Sequence, residues 1–278
     1  MATKFSFVLL GAAFAAWLHG SVGGGDTSDC GELVCVHASE SRMSVTVTAV
    51  NTSQHAPVSF WLDMVGWQAD ATGTGAPITL QPGEARVVAS AAAGQPEWNY
   101  DYSYSWNLGP LNATHARGAT YRLPFARGGR FPVSQGCGGD FSHHGSSRYA
   151  WDFAMPVGTP IHAARAGKVI DTEDIHGPGK PDESYRDAVN FVRVLHDDGT
   201  VGAYYHLRKN GIAVAPGDRV RGGDLLGWSG NSGYSSGPHL HFEVYHIDPS
   251  LRRQTVEIAF QTRNGTLDCS DRTFTAAA

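Results

Sequence analysis

The sequence predicts an all-β protein of two domains, and three observations lead to this prediction. Its 278 residues are enough for two domains, and 41% hydrophobic with 17% charged residues is a globular composition. Short runs of alternating apolar and polar residues, rich in β-branched side chains, are separated by Pro-Gly and Asp-Gly turns. Beyond residue 130 the sequence has no long amphipathic helical pattern, so the second domain is also predicted to consist of strands and turns.

The first residues have the pattern of a secretory signal peptide. Lys4 precedes an apolar run over residues 5–18 that is too short to span a bilayer comfortably, and small residues follow it. We therefore expect a signal peptide over residues 1–24, export to a periplasm or out of the cell, and no integral membrane segment in the mature chain. A buried N-terminal helix is the alternative. The formal net charge of -5, without a basic run, argues against nucleic acid as a partner.

Four cysteines fit an exported chain with disulfide bonds. They allow three pairings, and the absence of a CxxC pair weakens the alternative of a thiolate metal site. We favour a local bridge between Cys30 and Cys35. The second bridge would then join Cys137 to Cys269 and hold a C-terminal tail over residues 251–278.

The first domain is predicted over residues 28–125 as a small, sandwich-like β domain. Residues 43–50 alternate and are rich in β-branched side chains, and 57–65 and 78–80 are further strand candidates. Aromatic residues then occupy every second position of a strand, so their rings share one face. These residues are Trp98, Tyr100, Tyr102, Tyr104 and Trp106. A packed core is the favoured interpretation of this face, and a sugar-stacking surface is the alternative.

A link over residues 124–131 leads to the second β domain, over residues 130–250. In this domain the runs 190–196 and 201–207 flank an Asp-Gly turn, which is a strong hairpin signal. The two domains together give the all-β fold class.

Histidines of the second domain point to metal chemistry. In a strand, His239 and His241 would lie on one side, with apolar neighbours on the other. His206 ends a hairpin strand and would share a face with Tyr204. Asp152 lies between two large aromatic residues, where a carboxylate needs a strong partner such as a metal or a hydrogen-bond donor. Two histidines, one aspartate and a water form a normal open zinc site, whereas exposed histidines placed by chance are the alternative.

Residues 130–250 resemble the lysostaphin/LytM family of peptidoglycan zinc metallopeptidases. The resemblance rests on His143-x-Gly145 with Asp152, on Tyr204-x-His206-Leu207 and on His239-Leu240-His241. It implies an antiparallel β fold with a narrow groove and one zinc ion per chain. It also implies a peptidoglycan peptide as substrate, in which a zinc-activated water hydrolyses peptide bonds of the cross-links or stems.

The resemblance implies that His143, Asp152 and His241 bind the zinc ion. The chain departs from the shorter family members in one respect, because the first histidine and the aspartate are farther apart here. This longer loop leaves His144 as the alternative first ligand.

The resemblance also implies that His206 and His239 form the catalytic pair. One of them would take the proton of the metal-bound water and pass it to the leaving amine. Tyr204 and Asn190 would contact the substrate. A serine hydrolase is weakly supported, because the sequence has no G-x-S-x-G motif around its candidate serines.

Two other functions are alternatives. A non-catalytic LytM-type regulator typically lacks the zinc ligands, and all of these positions are present here. A wall-binding module would depend on the aromatic face of the first domain, which does not explain the histidines and the aspartate. Metal content distinguishes these alternatives from a zinc peptidase.

Overall fold

A computed structural model describes residues 16–21, 26–41, 44–65, 75–92, 99–263, 265–270 and 275–277. These residues form 23 strands and two short 3-10 helices, Gly145–Ser147 and Glu183–Tyr185, so the predicted all-β fold class is confirmed. They fall into two compact units, an N-terminal unit (described residues 16–112 with 247–252) and a C-terminal unit (113–246 with 253–277). Within the described ranges, neither helix is long and apolar enough to cross a bilayer.

The N-terminal unit contains two four-stranded antiparallel sheets. Their orders are β1-β8-β5-β6 and β2-β3-β4-β7. The strands are β1 (Ala16–Ser21), β2 (Thr27–Cys30), β3 (Val34–Ser41), β4 (Ser44–Asn51), β5 (Val58–Val65), β6 (Ile78–Leu80), β7 (Ala85–Ala92) and β8 (Asn99–Leu108). Alternate residues of both sheets meet in one core, including Val36 and Val47 from one sheet and Phe60 from the other. The predicted strand over 78–80 coincides with β6.

The aromatic residues of β8 belong to this core. Tyr100, Tyr102 and Tyr104 are buried, and Trp106 packs at the edge of the core. The hydroxyl of Tyr100 donates to Glu40 at 2.6 Å, so burial of this ring leaves its polar end paired. Burial of the three tyrosines agrees with a packed core rather than a sugar-stacking surface, whereas Trp98 lies outside the described residues.

Residues 1–15 and 22–25 also lie outside the described residues. They include most of the predicted signal peptide, of which the structure describes only β1, paired antiparallel with β8. The signal peptide therefore stays a prediction.

The C-terminal unit is built around a large, mainly antiparallel sheet. The order along this sheet is β17-β13-β14-β15-β19-β11-β10-β23, with β20 pairing β19, and two three-stranded sheets accompany it, β12-β18-β16 and β22-β21-β9. The strands are β9 (Tyr121–Arg122), β10 (Arg130–Gln135), β11 (Trp151–Ala154), β12 (Pro160–His162), β13 (Gly167–Glu173), β14 (Phe191–Leu195), β15 (Val201–Tyr205), β16 (Leu207–Ile212), β17 (Arg219–Val220), β18 (Leu225–Ser229), β19 (His239–Ile247), β20 (Arg253–Thr255), β21 (Phe260–Thr262), β22 (Gly265–Leu267) and β23 (Thr275–Ala277).

The predicted hairpin around the Asp-Gly turn is β14 and β15. The two strands pair antiparallel from Phe191 opposite Tyr205 to Leu195 opposite Val201. Gly199 takes a φ of 82°, a left-handed conformation that glycine adopts without a steric penalty. This hairpin lies beside β19 in the sheet.

Both favoured disulfide pairings are present. Cys30 is bonded to Cys35 within the N-terminal unit. Cys137 is bonded to Cys269 within the C-terminal unit and closes a loop with a sequence separation of 132 residues. The second bridge ties the tail of the chain to the loop that follows β10.

Candidate metal centre

Two neighbouring strands place an aspartate directly opposite a histidine. β11 and β19 pair antiparallel, with Asp152 opposite His241. Because side chains alternate along a strand, His239 and His241 point to one side of β19, while Leu240 and Phe242 are fully buried on the other. The alternation predicted from the sequence is therefore the feature that brings polar groups to this side of the sheet.

His143 joins this pair from the loop between β10 and β11. Its side chain is fully buried, and its Nε2 lies 3.2 Å from Oδ1 of Asp152. Nδ1 of His241 lies 2.9 Å from the same oxygen, and the ligand atoms of all three residues lie within 4.8 Å of one another. Burial disfavours the charged carboxylate, but contacts from both histidines outweigh burial and hold the pKa of Asp152 well below its usual range.

The donor atoms of this cluster fit a metal ion. Nδ1 of His143 donates a hydrogen bond to the carbonyl oxygen of Gly136 at 2.9 Å, so the lone pair of the neutral ring lies on Nε2. That Nε2 is buried, and apart from its 3.2 Å approach to Oδ1 of Asp152 it has no hydrogen-bond partner among the described residues, which is costly unless another group satisfies it. Two imidazole nitrogens and one carboxylate oxygen are the donor set of a catalytic zinc site that keeps its fourth position open.

A buried ion pair lies behind His241. Its Nε2 lies 3.4 Å from Oε2 of Glu243, and the other oxygen of Glu243 accepts a hydrogen bond from Arg253. Glu243 is fully buried and Arg253 nearly so. Burial lowers the pKa of His241, but Asp152 and Glu243 outweigh burial and raise it to about 9. A carboxylate behind a metal-binding histidine fixes the orientation of its ring and raises its basicity.

His206 and His239 lie side by side next to this cluster. Their ring centroids are 4.4 Å apart, and Nε2 of His239 lies 3.8 Å from Oδ1 of Asp152. Nδ1 of His206 donates to the carbonyl of Ser232 at 2.7 Å, and Nδ1 of His239 donates to that of Gly237 at 2.8 Å. Each neutral ring therefore carries its lone pair on Nε2.

Burial lowers the pKa of both histidines of this pair and so favours their uncharged form. Desolvation, with the nearby His239 and His241, lowers the pKa of His206 to about 3. Desolvation also lowers the pKa of His239, although Asp152 opposes the shift. A neutral imidazole with a free Nε2 can accept a proton from a water held in the groove.

The structure does not bring Tyr204 together with the histidines. Its ring is fully buried against Phe242, and its hydroxyl accepts a hydrogen bond from the backbone N–H of Ala164 at 2.7 Å. The strand alternation ends at Tyr205, because His206 has a φ of 64°, in the left-handed region that non-glycine residues seldom adopt. The shared face predicted for Tyr204 and His206 is lost at this residue, and Tyr205 lines the groove instead.

Asn190 is fully buried, and its side chain is bonded to the backbone. Its Nδ2 donates to the carbonyl oxygens of His176, at 2.8 Å, and Leu207, at 3.0 Å, and its Oδ1 accepts from the N–H of His176 at 2.9 Å. It therefore fixes the segment next to His206, and these three bonds leave its amide turned towards the protein backbone.

The histidines open onto a groove of about 520 Å³. Phe141 and Tyr234 stack at the groove with their ring centroids 6.3 Å apart, and the guanidinium of Arg186 lies 5.4 Å from the Tyr234 ring. His144 also lines the groove and is exposed, whereas His143 is buried. Of the two adjacent histidines, the structure thus brings only His143 into the cluster with the aspartate.

Sequence reasoning assigned no role to Glu243, Tyr205 or Gln135. A signal existed for Glu243, because it lies two residues after His241 and therefore on the same side of its strand. Tyr205 lines the groove in place of Tyr204 because of the left-handed backbone angle of His206, and no sequence pattern predicts that angle. Gln135 is near Asp152 only because β10 pairs β11.

Comparison with known families agrees with this geometry. Residues 146–256 match the model of peptidase family M23. This region of the chain belongs to peptidase family M23. The M23 match includes Asp152, His206, His239 and His241 but begins three residues after His143, so the assignment of His143 depends on the structure. A metallopeptidase family implies a bound metal, and the cluster of His143, Asp152 and His241 is the candidate site for it.

Relatives of known name are similar over the same region. The glycyl-glycine endopeptidase ALE-1 of Staphylococcus capitis is 38% identical over 101 residues, which are 36% of this chain and 25% of that protein. Lysostaphin of Staphylococcus simulans is 34% identical over 134 residues, 47% of this chain and 24% of that protein. The peptidoglycan DD-endopeptidase ShyA of Vibrio cholerae is 38% identical over 93 residues, 34% of this chain and 19% of that protein. The matched region thus spans a quarter or less of the length of these relatives.

Among solved structures, the catalytic domain of lysostaphin from Staphylococcus simulans superposes with a TM-score of 0.32 and 26% identity. The superposition covers 45% of this chain and 87% of that one. The sequence matches, and not this superposition, support the assignment of the M23 domain.

Proposed function

We propose that the chain is an exported zinc endopeptidase that hydrolyses peptide bonds in the cross-links or stems of peptidoglycan. The observation that carries the proposal is the convergence of Nε2 of His143, Oδ1 of Asp152 and Nδ1 of His241 beside a pair of neutral histidines. The names of the similar proteins support the substrate, since ALE-1 is a glycyl-glycine endopeptidase and ShyA a peptidoglycan DD-endopeptidase.

In this proposal His143, Asp152 and His241 hold one zinc ion. When bound, zinc lowers the pKa of a water towards about 7 and polarises the substrate carbonyl. Zinc is favoured because imidazole suits it and because a three-residue set leaves a position open for catalysis. The protein secures the geometry through Gly136 and Glu243, which fix the rings of His143 and His241.

His206 and His239 carry the proton in this proposal. Each holds its Nδ1 proton on a backbone carbonyl, so Nε2 is the atom that accepts the proton of the attacking water. The same Nε2 then donates that proton to the nitrogen of the leaving amine. The second ring of the pair remains beside the developing oxyanion and stabilises it. No residue of the chain forms a covalent intermediate.

The substrate peptide would lie in the groove along Tyr205, Phe141 and Tyr234. Tyr205 takes the substrate-contacting place that the sequence assigned to Tyr204, because Tyr205 and not Tyr204 is among the residues that line the groove. The buried positions of Tyr204 and Asn190 support a structural role for both. Two disulfide bonds and the N-terminal pattern support export to an oxidising compartment, a periplasm or the outside of the cell.

The test is digestion of several purified sacculi with different cross-links, followed by mass spectrometry of the released muropeptides. The proposal predicts new amino groups with intact glycan strands, loss of this release with a chelator, and its recovery with zinc. The variant His239→Ala is the matched inactive control, because it keeps all three proposed ligands. New reducing sugar ends without new amines would refute peptidase action. Binding to sacculi without release of amines would favour the non-catalytic alternatives.

A further inference from the structure

The residue opposite Asp152 on the neighbouring strand is a glutamine with every hydrogen-bonding position in use. Gln135 ends β10 and pairs with Asp152 across the β10–β11 ladder. Its Nε2 donates to Oδ2 of Asp152 at 3.0 Å and to the hydroxyl of Ser142 at 2.8 Å. Its Oε1 accepts from the backbone N–H groups of Phe141 and Ser142, both at 3.0 Å. Two donors and two acceptor lone pairs are the full capacity of a carboxamide.

These contacts fix which way the amide of Gln135 faces. The groups at Oε1 are backbone N–H groups, which can only donate, so a flipped amide would set donors against donors. The NH₂ group therefore points to Asp152 and occupies its Oδ2. Oδ1 of Asp152 is left as the oxygen that faces His143 and His241.

The same short segment also holds His143. The backbone N–H groups that donate to Oε1 of Gln135 belong to the two residues directly before His143. Gly136, which directly follows Gln135, accepts a hydrogen bond from Nδ1 of His143 through its carbonyl oxygen at 2.9 Å. The loop wraps closely around Gln135, since a Cβ on Gly139 would lie 2.2 Å from Cγ of the glutamine.

We propose that Gln135 is a positioning residue of the metal centre. It holds Asp152 as a ligand through a single oxygen and, with the same amide, sets the loop that delivers His143. This inference rests on the metal centre of the proposed function. Outer partners of this kind change metal affinity by about 10–100-fold when they are removed.

The experiment measures zinc affinity of the full chain by competition with a chromophoric chelator, and the visible spectrum of the cobalt-substituted protein. Gln135→Met keeps the length of the side chain and removes all four hydrogen bonds, so zinc affinity should fall about 10–100-fold and the cobalt bands should shift. Ser142→Ala is the matched control, because it removes the other acceptor of the same NH₂ group but not the contact with Asp152. Its zinc affinity should stay within about threefold of that of the wild type.

A second variant separates loop support from ligand positioning. Gln135→Glu keeps an acceptor for the two backbone N–H groups but sets an oxygen against Oδ2 of Asp152, so the cobalt spectrum should change while the metal-free protein stays folded. Wild-type affinity and an unchanged cobalt spectrum in either folded Gln135 variant would overturn the inference. A wild-type chain that binds no zinc would instead refute the proposed function itself.

Discussion

His196 is a buried histidine whose protonation should control the stability of the C-terminal unit. It follows β14 at the hairpin turn and is only 3% exposed. Nδ1 donates to the carbonyl of Ala166 at 2.9 Å, whereas Nε2 is buried and makes no hydrogen bond with any described residue. Nε2 packs so closely on the hairpin that a Cβ on Gly202 would lie 2.8 Å away. Burial lowers the pKa of His196 to about 4.

The sign of the pH effect follows from this shift. The unfolded chain, with a histidine pKa near 6.5, takes up the proton more readily than the folded protein does. The stability that His196 provides is therefore complete above pH 6.5 and is lost as the pH falls towards 4. The total loss is about 3 kcal/mol, of which about 2 kcal/mol falls between pH 7 and pH 5.

The assay is urea unfolding of the wild type and of His196→Asn at pH 7, 6 and 5, at one fixed metal concentration. Asparagine places an N–H donor near the position of Nδ1 and does not titrate, so any cavity cost is independent of pH. The other histidines titrate in both proteins and cancel in the difference. The wild type should lose about 2 kcal/mol more than the variant between pH 7 and pH 5. Two curves that fall in parallel would refute the buried neutral state of His196.

Three further perturbations have defined outcomes. His143→Ala should lose bound zinc and activity together, whereas His144→Ala should keep its zinc and most of its turnover. A metal analysis that shows the reverse would assign the ligand to His144 instead of His143. Replacing Cys137 and Cys269 by serine should lower the free energy of unfolding by about 2–5 kcal/mol, because the bridge closes a loop of 132 residues, and unchanged urea midpoints would contradict this. Glu243→Gln should cost about 3–5 kcal/mol in the same assay, because its arginine partner is left as an uncompensated buried charge; a cost below about 1 kcal/mol would show that the ion pair is not essential to the fold.

The sequence predicts the strands well where one face is buried. In β19 the alternation of histidines with leucine and phenylalanine defines both the strand and the side on which the candidate metal cluster lies. The hairpin of β14 and β15 follows from the Asp-Gly turn between two apolar runs. In both cases the information is local, because a period of two residues or a turn dipeptide is visible within ten residues.

The sequence does not predict details that depend on backbone angles or on distant partners. The left-handed conformation of His206 moves the groove contact from Tyr204 to Tyr205, and no residue type around it requires that angle. Asn190 and Gln135 form hydrogen bonds with residues that lie close to them only in the folded chain. Their roles follow from tertiary hydrogen bonds, which leave no periodic pattern in the chain.

The position of β19 in its sheet restricts where this protein can vary. The strand is paired on both sides, by β11 and by β15, so its backbone amides near the histidines should exchange with solvent only through large-scale unfolding. The loop residues Phe141, Arg186 and Tyr234 lie at the groove but outside the strands. Under the proposed function, substitutions in such loops can therefore alter which peptide is accepted without moving the strand that carries His239 and His241. The proposed function then implies that adaptation to a new cross-link occurs at these loop positions, while β19 stays unchanged.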